Sequence, residues 1–254
     1  MYLCSVSKDL FSSHAAQYAT FRPTYPQALY DFIFAQVNAF GLAWDAGTGN
    51  GQVARDLSPH FASVWGTDLS QGQLHNAYRA HNIHYAQAAE TTALPANAVD
   101  LICVAQAIHW FDRPAFYAEV RRVAKPDATI AVWGYGLLRI ASPIDQLIDD
   151  FYVHRIGQYW DRERKLIDEH YQHIDFPFRE ITSPSFSISA TWTLAQLQGY
   201  LTTWSAVQKF IHQHQSDPVP PLIEQIKPLW RHNELEISFP LFLRLGKIDD
   251  VRSS

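Results

Sequence analysis

The feature that most constrains this chain is a glycine-spaced turn directly behind a short apolar run. Leu42 to Ala46 is apolar apart from Asp45, and Asp45-Ala-Gly-Thr-Gly-Asn-Gly51 completes the turn. Glycine has no Cβ, so a turn built on Gly47, Gly49 and Gly51 can take left-handed backbone and let a ligand approach the main chain. Open α/β sheets bind their ligands at such turns, outside the carboxyl ends of the strands. The rest of the chain must therefore supply a sheet of that kind.

The hydrophobic pattern does supply it. A helix is predicted over 52–57, a strand over 62–67, a helix over 71–80 and a weaker strand over 83–86. Val99 to Ala105 reads as a fully buried strand, 114–123 as a helix with Pro114 in its first turn, and 129–135 as a further strand. Strands and helices alternating at this spacing require parallel β-α-β units. Beyond Gly136 the rhythm changes: helices are predicted over 143–159, 162–174, 194–210 and 221–230, and strands over 178–188 and 235–245. The fold class is α/β: a doubly wound, mostly parallel, seven-stranded Rossmann-like sheet with an antiparallel last strand and a C-terminal helical insert.

Composition narrows the function. The 254 residues are 47% hydrophobic and carry a net charge of −5, which excludes a disordered chain. With 20 Lys and Arg against 25 Asp and Glu there is no basic field, so nucleic acid is not an expected partner. Cys4 and Cys103 do not make a disulfide framework, and the start lacks a basic segment followed by a sustained apolar one; a cytoplasmic protein is expected. No apolar run approaches the ~20 residues of a membrane span. A monomer or homodimer acting on a small molecule is the expected form.

Asp68 closes the second strand about 20 residues beyond the turn, where a carboxylate can accept both hydroxyl protons of a ribose. The third glycine of a dinucleotide fingerprint is missing, since position 52 is Gln52, with Gly51 beside it. Asp45 before the first glycine would repel a pyrophosphate but suits a cation. S-adenosylmethionine carries a sulfonium and an ammonium and no phosphate, so electrostatics favour it over NAD.

The turn stands in an ordered set with Asp68-Leu69-Ser70, Ala89-Glu90-Thr-Thr-Ala-Leu94-Pro95, Val99-Asp100-Leu101 and Gln106-Ala-Ile-His-Trp-Phe-Asp112, preceded by Tyr18-Ala-Thr-Phe21-Arg22-Pro23-Thr-Tyr25-Pro26. This set, over about residues 12 to 135, resembles the class I S-adenosylmethionine-dependent methyltransferases of the methyltransferase domain 11 group and is similar to trans-aconitate methyltransferase. The resemblance implies that Gly47 and Gly49 pass under the methionine part while Asp45 helps hold its amino group through the turn. Asp68 would take the ribose hydroxyls and Leu69 the adenine face. Many relatives place an Asp before the Ala-Glu pair; here that position is Ala88, leaving Ala89 and Glu90 as the adenine candidates. Gln106 would line the methionine side, and Tyr18 and Arg22 belong to a segment that relatives fold over the cofactor. Three stretches of one domain follow: cofactor-covering helices over 1–40, the S-adenosylmethionine-binding core over 41–136, and a helical cap with the final strands over 137–254.

Methyl transfer is an in-line displacement, so alignment and exclusion of water matter more than a covalent protein intermediate. A base is needed only for a protonated nucleophile, and a carboxylate needs none. His109, after the fourth strand, is the candidate base or substrate contact, against the alternative of a histidine that orients the next helix. Trp110 and Trp204 are candidate walls of a substrate cavity, against the alternative of core tryptophans. Asp100 reads as a tether of the sheet. His170-x-x-His173, His212-x-His214 and His81-x-x-His84 lack supporting Cys pairs and the H-E-x-x-H order, so no metal is expected. There is no G-x-S-x-G elbow and no P-loop lysine. The expected function is methyl transfer from S-adenosylmethionine to a small organic acceptor, a carboxylate or another O or N nucleophile. The rival is a module that binds the cofactor without catalysis, as scaffold or sensor.

Overall fold

A computed structural model describes residues 23–249. Helix α1 (Gln27–Phe34) leads into β1 (Leu42–Ala46), α2 (Gln52–Leu57), β2 (Ser63–Asp68), α3 (Gln71–His75), β3 (Ile83–Gln87), β4 (Val99–Ala105), α4 (Arg113–Val123) and β5 (Ala124–Tyr135). The later part comprises α5 (Ser142–Asp150), α6 (Arg164–Asp168), β6 (Arg179–Ile181), β7 (Phe186–Thr193), α7 (Leu194–Thr202), α8 (Ser205–His214), α9 (Val219–Ile226) and β8 (Glu234–Lys247). The strands lie in the order β3-β2-β1-β4-β5-β8-β6, with β7 also on β8. The first five are parallel; β8 runs antiparallel to β5, β6 and β7. Strand order reverses between β1 and β4, which puts the switch point at the glycine turn.

Alternation along the strands sorts the core into two faces. Ala43, Leu101, Cys103, Ala131 and Trp133 point to the side covered by α1, α2 and the cap helices. Trp44, Ile102, Val104, Ile130 and Val132 point to the side covered by α4 and by Ile167, Tyr171 and Ile174. Two polar side chains within this core are tied down: Trp44 Nε1 donates to Thr67 Oγ1 at 2.9 Å, and Asp100 accepts from the backbone of Gly41 and Leu42 and from Lys125. Asp100 is thus the expected tether of the sheet, joining the amino ends of the central strands β1, β4 and β5.

Several expected boundaries move, each for a local reason. The helix predicted over 71–80 ends at His75, because the Tyr78 amide donates to the Asn50 carbonyl and ties the chain to the glycine turn. The strand over 178–188 divides into β6 and β7 around Pro184, which has no amide to donate, so the described residues form eight strands where seven are expected. The helix over 194–210 breaks at Trp204, whose extended backbone opens α8. Of 162–174 only α6 is regular α-helix, since His170 and Tyr171 both take left-handed backbone, at φ +53° and +56°. The helix over 143–159 becomes α5 followed by a wide turn (Phe151–Arg155) and a tight one (Gly157–Tyr159).

Candidate active site

The glycine turn is held by its own neighbours. Gly47 and Thr48 donate their amides to the Thr67 carbonyl of β2, and all three glycines have positive φ, +71°, +54° and +77°. They differ in why they must be glycine. A Cβ on Gly47 would overlap Ala107, and one on Gly51 would overlap the Tyr85 hydroxyl, so those positions serve internal packing. A Cβ on Gly49 would meet nothing within 4 Å. Gly49 is therefore the part of the turn that faces open space.

Asp45 lies beneath the turn and is 1% exposed. Its Oδ2 accepts from Thr48 Oγ1 at 2.5 Å and from the Ala54 amide at 3.0 Å, while Oδ1 is buried with no hydrogen-bond partner among the described residues. Burial pushes its carboxyl up to about 7, against the lowering effect of those two hydrogen bonds. Asp45 thus fixes the turn, and in its ionised form it has no counter-ion among the described residues. Asp68, at the end of β2, accepts from the amides of Gly49 (2.9 Å) and Ser70 (2.8 Å). One bond on each oxygen orients the carboxylate and leaves further lone pairs for other donors. Leu69 beside it is 50% exposed, an apolar side chain left uncovered at the strand end.

Ala88 donates its amide to the Asp68 carbonyl, bringing the segment after β3 up to the same rim. Glu90 is partly committed there, since its Oε1 accepts from the Asp112 amide at 2.9 Å and caps the loop before α4. Ala88 and Ala89 also border a cavity of about 290 Å³ reaching Trp65 and Thr67, which touches neither the glycine turn nor His109. Tyr18 and Arg22 lie outside the described residues. The described part of that leading segment places the Tyr25 ring edge-on to Trp133 at 5.5 Å, and Gln52 Nε2 donates to the Pro23 carbonyl.

After β4 the chain enters the site at Gln106, a non-glycine residue at φ +55°. Its Nε2 donates to the Tyr135 carbonyl at 3.3 Å, and its Oε1 is buried without a partner among the described residues. Strained backbone that presents an unpaired acceptor is a pattern of ligand sites. Gln106, His109, Trp110 and Trp204 meet around a second cavity of about 120 Å³, walled also by Tyr135, Trp160, Arg164 and Tyr200. His109 and Trp110 arrive on a short turn (Ile108–Trp110), with Trp110 about half exposed. Trp204 comes from the α7–α8 junction, its ring edge-on to Tyr152 at 5.7 Å and to Tyr200 at 5.9 Å.

His109 is 6% exposed, and its Nδ1 lies 2.9 Å from the Tyr171 hydroxyl. Burial, reinforced by the Arg164 charge, pushes its pKa down to about 3, so the ring is neutral. Tyr171 is fully buried, and among the described residues its hydroxyl has no other acceptor, so we assign the hydroxyl as donor to Nδ1, which puts the single ring proton on Nε2. His109 in this tautomer donates from Nε2.

His109, Trp110 and Trp204, expected on the substrate side, thus meet at one cavity with Gln106, expected to line the methionine side, while Asp45, Gly49, Asp68 and Leu69 gather at the turn. Arg164, Tyr171 and Trp160 carry no signal in the sequence, because they come from a stretch with no motif and reach the site only through the fold. Among the described residues no group of three or more His, Cys, Asp or Glu is arranged to hold a metal, and no helix is long and apolar enough to cross a membrane.

Comparisons with known proteins agree with this geometry. A methyltransferase domain model matches residues 44–132. The chain is 35% identical to a Dictyostelium discoideum protein assigned to the methyltransferases, over 249 residues covering 94% of this chain and 95% of the other. It is 29% identical to an S-adenosylmethionine-dependent methyltransferase of Saccharomyces cerevisiae over 141 residues, 51% of this chain and 47% of that protein. A solved structure of an Anaeromyxobacter dehalogenans protein assigned as a type II methyltransferase superposes with a TM-score of 0.84 at 35% identity, covering 90% of this chain and 98% of the other. With the sheet order, the open glycine turn and near full-length likeness in agreement, the chain belongs to the S-adenosylmethionine-dependent methyltransferases of Rossmann-like fold.

Proposed function

We propose that this methyltransferase acts on a small organic acceptor held in the aromatic cavity at Gln106 and His109. The observation that carries the reading is that cavity itself, lined by Gln106, His109 and Trp110 just beyond β4 and by side chains of the cap. In this reading Asp68 takes the ribose hydroxyls, Leu69 the adenine face, and Gly49 gives the backbone approach. Asp45 Oδ1 and Gln106 Oε1, both buried and unpartnered among the described residues, suit a cationic ligand, Asp45 through its field and Gln106 by direct acceptance. When bound, S-adenosylmethionine supplies an electrophilic methyl group.

The chain's own contribution is to orient the acceptor and exclude water. Trp110 and Trp204 shield the cavity, and a cation facing aromatic walls gains cation–π attraction. His109, being neutral and donating from Nε2, positions an acceptor oxygen rather than taking a proton. Calorimetry with S-adenosylmethionine and S-adenosylhomocysteine, followed by label transfer to a panel of small acids, phenols and amines, tests the reading. Binding of both cofactors with transfer to a small acceptor is expected. No binding at millimolar cofactor overturns it, and binding without transfer to any acceptor favours the non-catalytic module.

A further inference from the structure

The aromatic cavity holds a cation whose best donors are unused. Arg164 lines it from α6, its side chain 24% exposed and lying over the rings of Trp160 (4.9 Å) and Tyr152 (5.7 Å). Its Nε donates to the Tyr152 hydroxyl at 2.9 Å and stands 3.5 Å from Asp168 Oδ1. Its two terminal nitrogens make no hydrogen bond among the described residues. Of the carboxylates nearby, Asp161 is paired with Lys209 at 2.6 Å, and Asp168, half exposed, accepts from the Tyr152 hydroxyl at 2.8 Å and pairs with Arg164 only through Nε, leaving the terminal nitrogens clear. An arginine fixed by stacking and Nε, with its paired terminal nitrogens open, presents the fork that a carboxylate fits.

We infer that Arg164 and the Nε2–H of His109 form a carboxylate-binding site, and that the methyl acceptor is a carboxylate on an apolar, ring-sized body. The inference deepens the methyltransferase reading and rests on it. Three observations support the donor role of His109. Its ring is uncharged, its Nδ1 is occupied by Tyr171, and Tyr171 is held there by two successive left-handed residues, a strain that persists only where the surroundings impose it. The walls are aromatic, which suits an apolar body. Transfer to such an acceptor is balanced without a base: a carboxylate oxygen bonds to the methyl carbon, the carbon–sulfur bond breaks with its electron pair going to sulfur, and no proton moves.

A carboxylate also exists on the methionine part of the cofactor, so the test must separate the two sources. Tryptophan fluorescence of the S-adenosylhomocysteine complex, reporting Trp160 and Trp204 beside Arg164, is titrated with benzoate and with benzamide. Benzoate should quench and benzamide should not, and Arg164→Gln should weaken benzoate by about tenfold or more while the Kd of S-adenosylmethionine, by calorimetry, stays within about twofold. Arg164→Lys keeps the charge without the fork and should recover only part of the affinity. Equal binding of the two probes, no benzoate binding, or an unaffected Arg164→Gln protein overturns the inference. So does a loss of S-adenosylmethionine affinity in Arg164→Gln without loss for 5′-methylthioadenosine, since the guanidinium would then serve the cofactor's own carboxylate. A wild-type protein that binds no cofactor would instead overturn the methyltransferase reading, which keeps the two failures apart.

Discussion

Replacing Asp45 by asparagine tests the electrostatics of the turn. The Asp45 carboxyl is pushed up to about 7 from an ordinary value of 3.8, chiefly by burial. Between those values the folded chain binds a proton that the unfolded chain does not, so stability falls as pH rises from about 4 to about 7 and levels off above. The slope is about 1.4 kcal/mol per pH unit, and the whole loss about 4 kcal/mol. The amide of the Asp45→Asn variant does not titrate. It retains an oxygen for Thr48 and Ala54 but places an NH2 group where the unpartnered Oδ1 lies, at a pH-independent cost of about 1–3 kcal/mol. The measured quantity is therefore how the stability difference between wild type and Asp45→Asn changes with pH. Urea denaturation at about pH 5 and about pH 7 should show the wild type losing about 2 kcal/mol relative to the variant, the slope easing as the upper pH reaches the folded value. Saturating S-adenosylmethionine should flatten that slope, because a bound cation stabilises the ionised carboxylate. Parallel stability profiles for the two proteins would refute the claim that Asp45 carries a buried, uncompensated charge.

Other consequences follow from the same geometry. Asp68→Ala should weaken S-adenosylmethionine by about 1–3 kcal/mol in calorimetry, through lost ribose contacts; unchanged affinity removes Asp68 from the ribose role. Gly47→Ala and Gly49→Ala both incur left-handed strain of about 1–2 kcal/mol, but only the first also meets Ala107, so it should lower Tm more, whereas Gly49→Ala should lose cofactor affinity while remaining folded. Trp204→Ala should reduce turnover with near-normal cofactor affinity, and because truncating a buried Trp costs about 3–5 kcal/mol, Trp204→Phe serves as the folded control; equal loss of both affinities would make Trp204 structural. His109, neutral down to about pH 3, should put no limb near its ordinary value of 6.5 in kcat/KM, and a limb there that His109→Gln removes would contradict its buried, uncharged state.

The glycine turn and the strand ends beside it are legible in the sequence because their signals are local. β1, α2 and β4 run over the predicted residues, since a fully buried strand leaves a continuous apolar run and a glycine turn marks where it ends. The position of Asp68 at the end of β2 follows from spacing alone, while Leu69 is a candidate through the family resemblance. The later half is less legible because short-range pattern does not register a tie made elsewhere. The amide of Tyr78 on Asn50 cuts one helix short, Pro184 divides one strand, and Tyr171 can adopt its left-handed backbone only against the core it meets.

The sequence by itself determined the parallel sheet, the position of the switch point and the charge logic that favours a cationic cofactor, because periodicity and glycine spacing are properties of adjacent residues. Only the tertiary structure decided that Gly49, alone of the three turn glycines, faces open space, that His109 is buried with Nδ1 against the Tyr171 hydroxyl, and that Arg164 from α6 lines the same aromatic cavity. Those facts depend on burial and on pairs such as His109 with Tyr171, 62 residues apart, where the low polarity of the interior sets protonation and the fold alone sets distance.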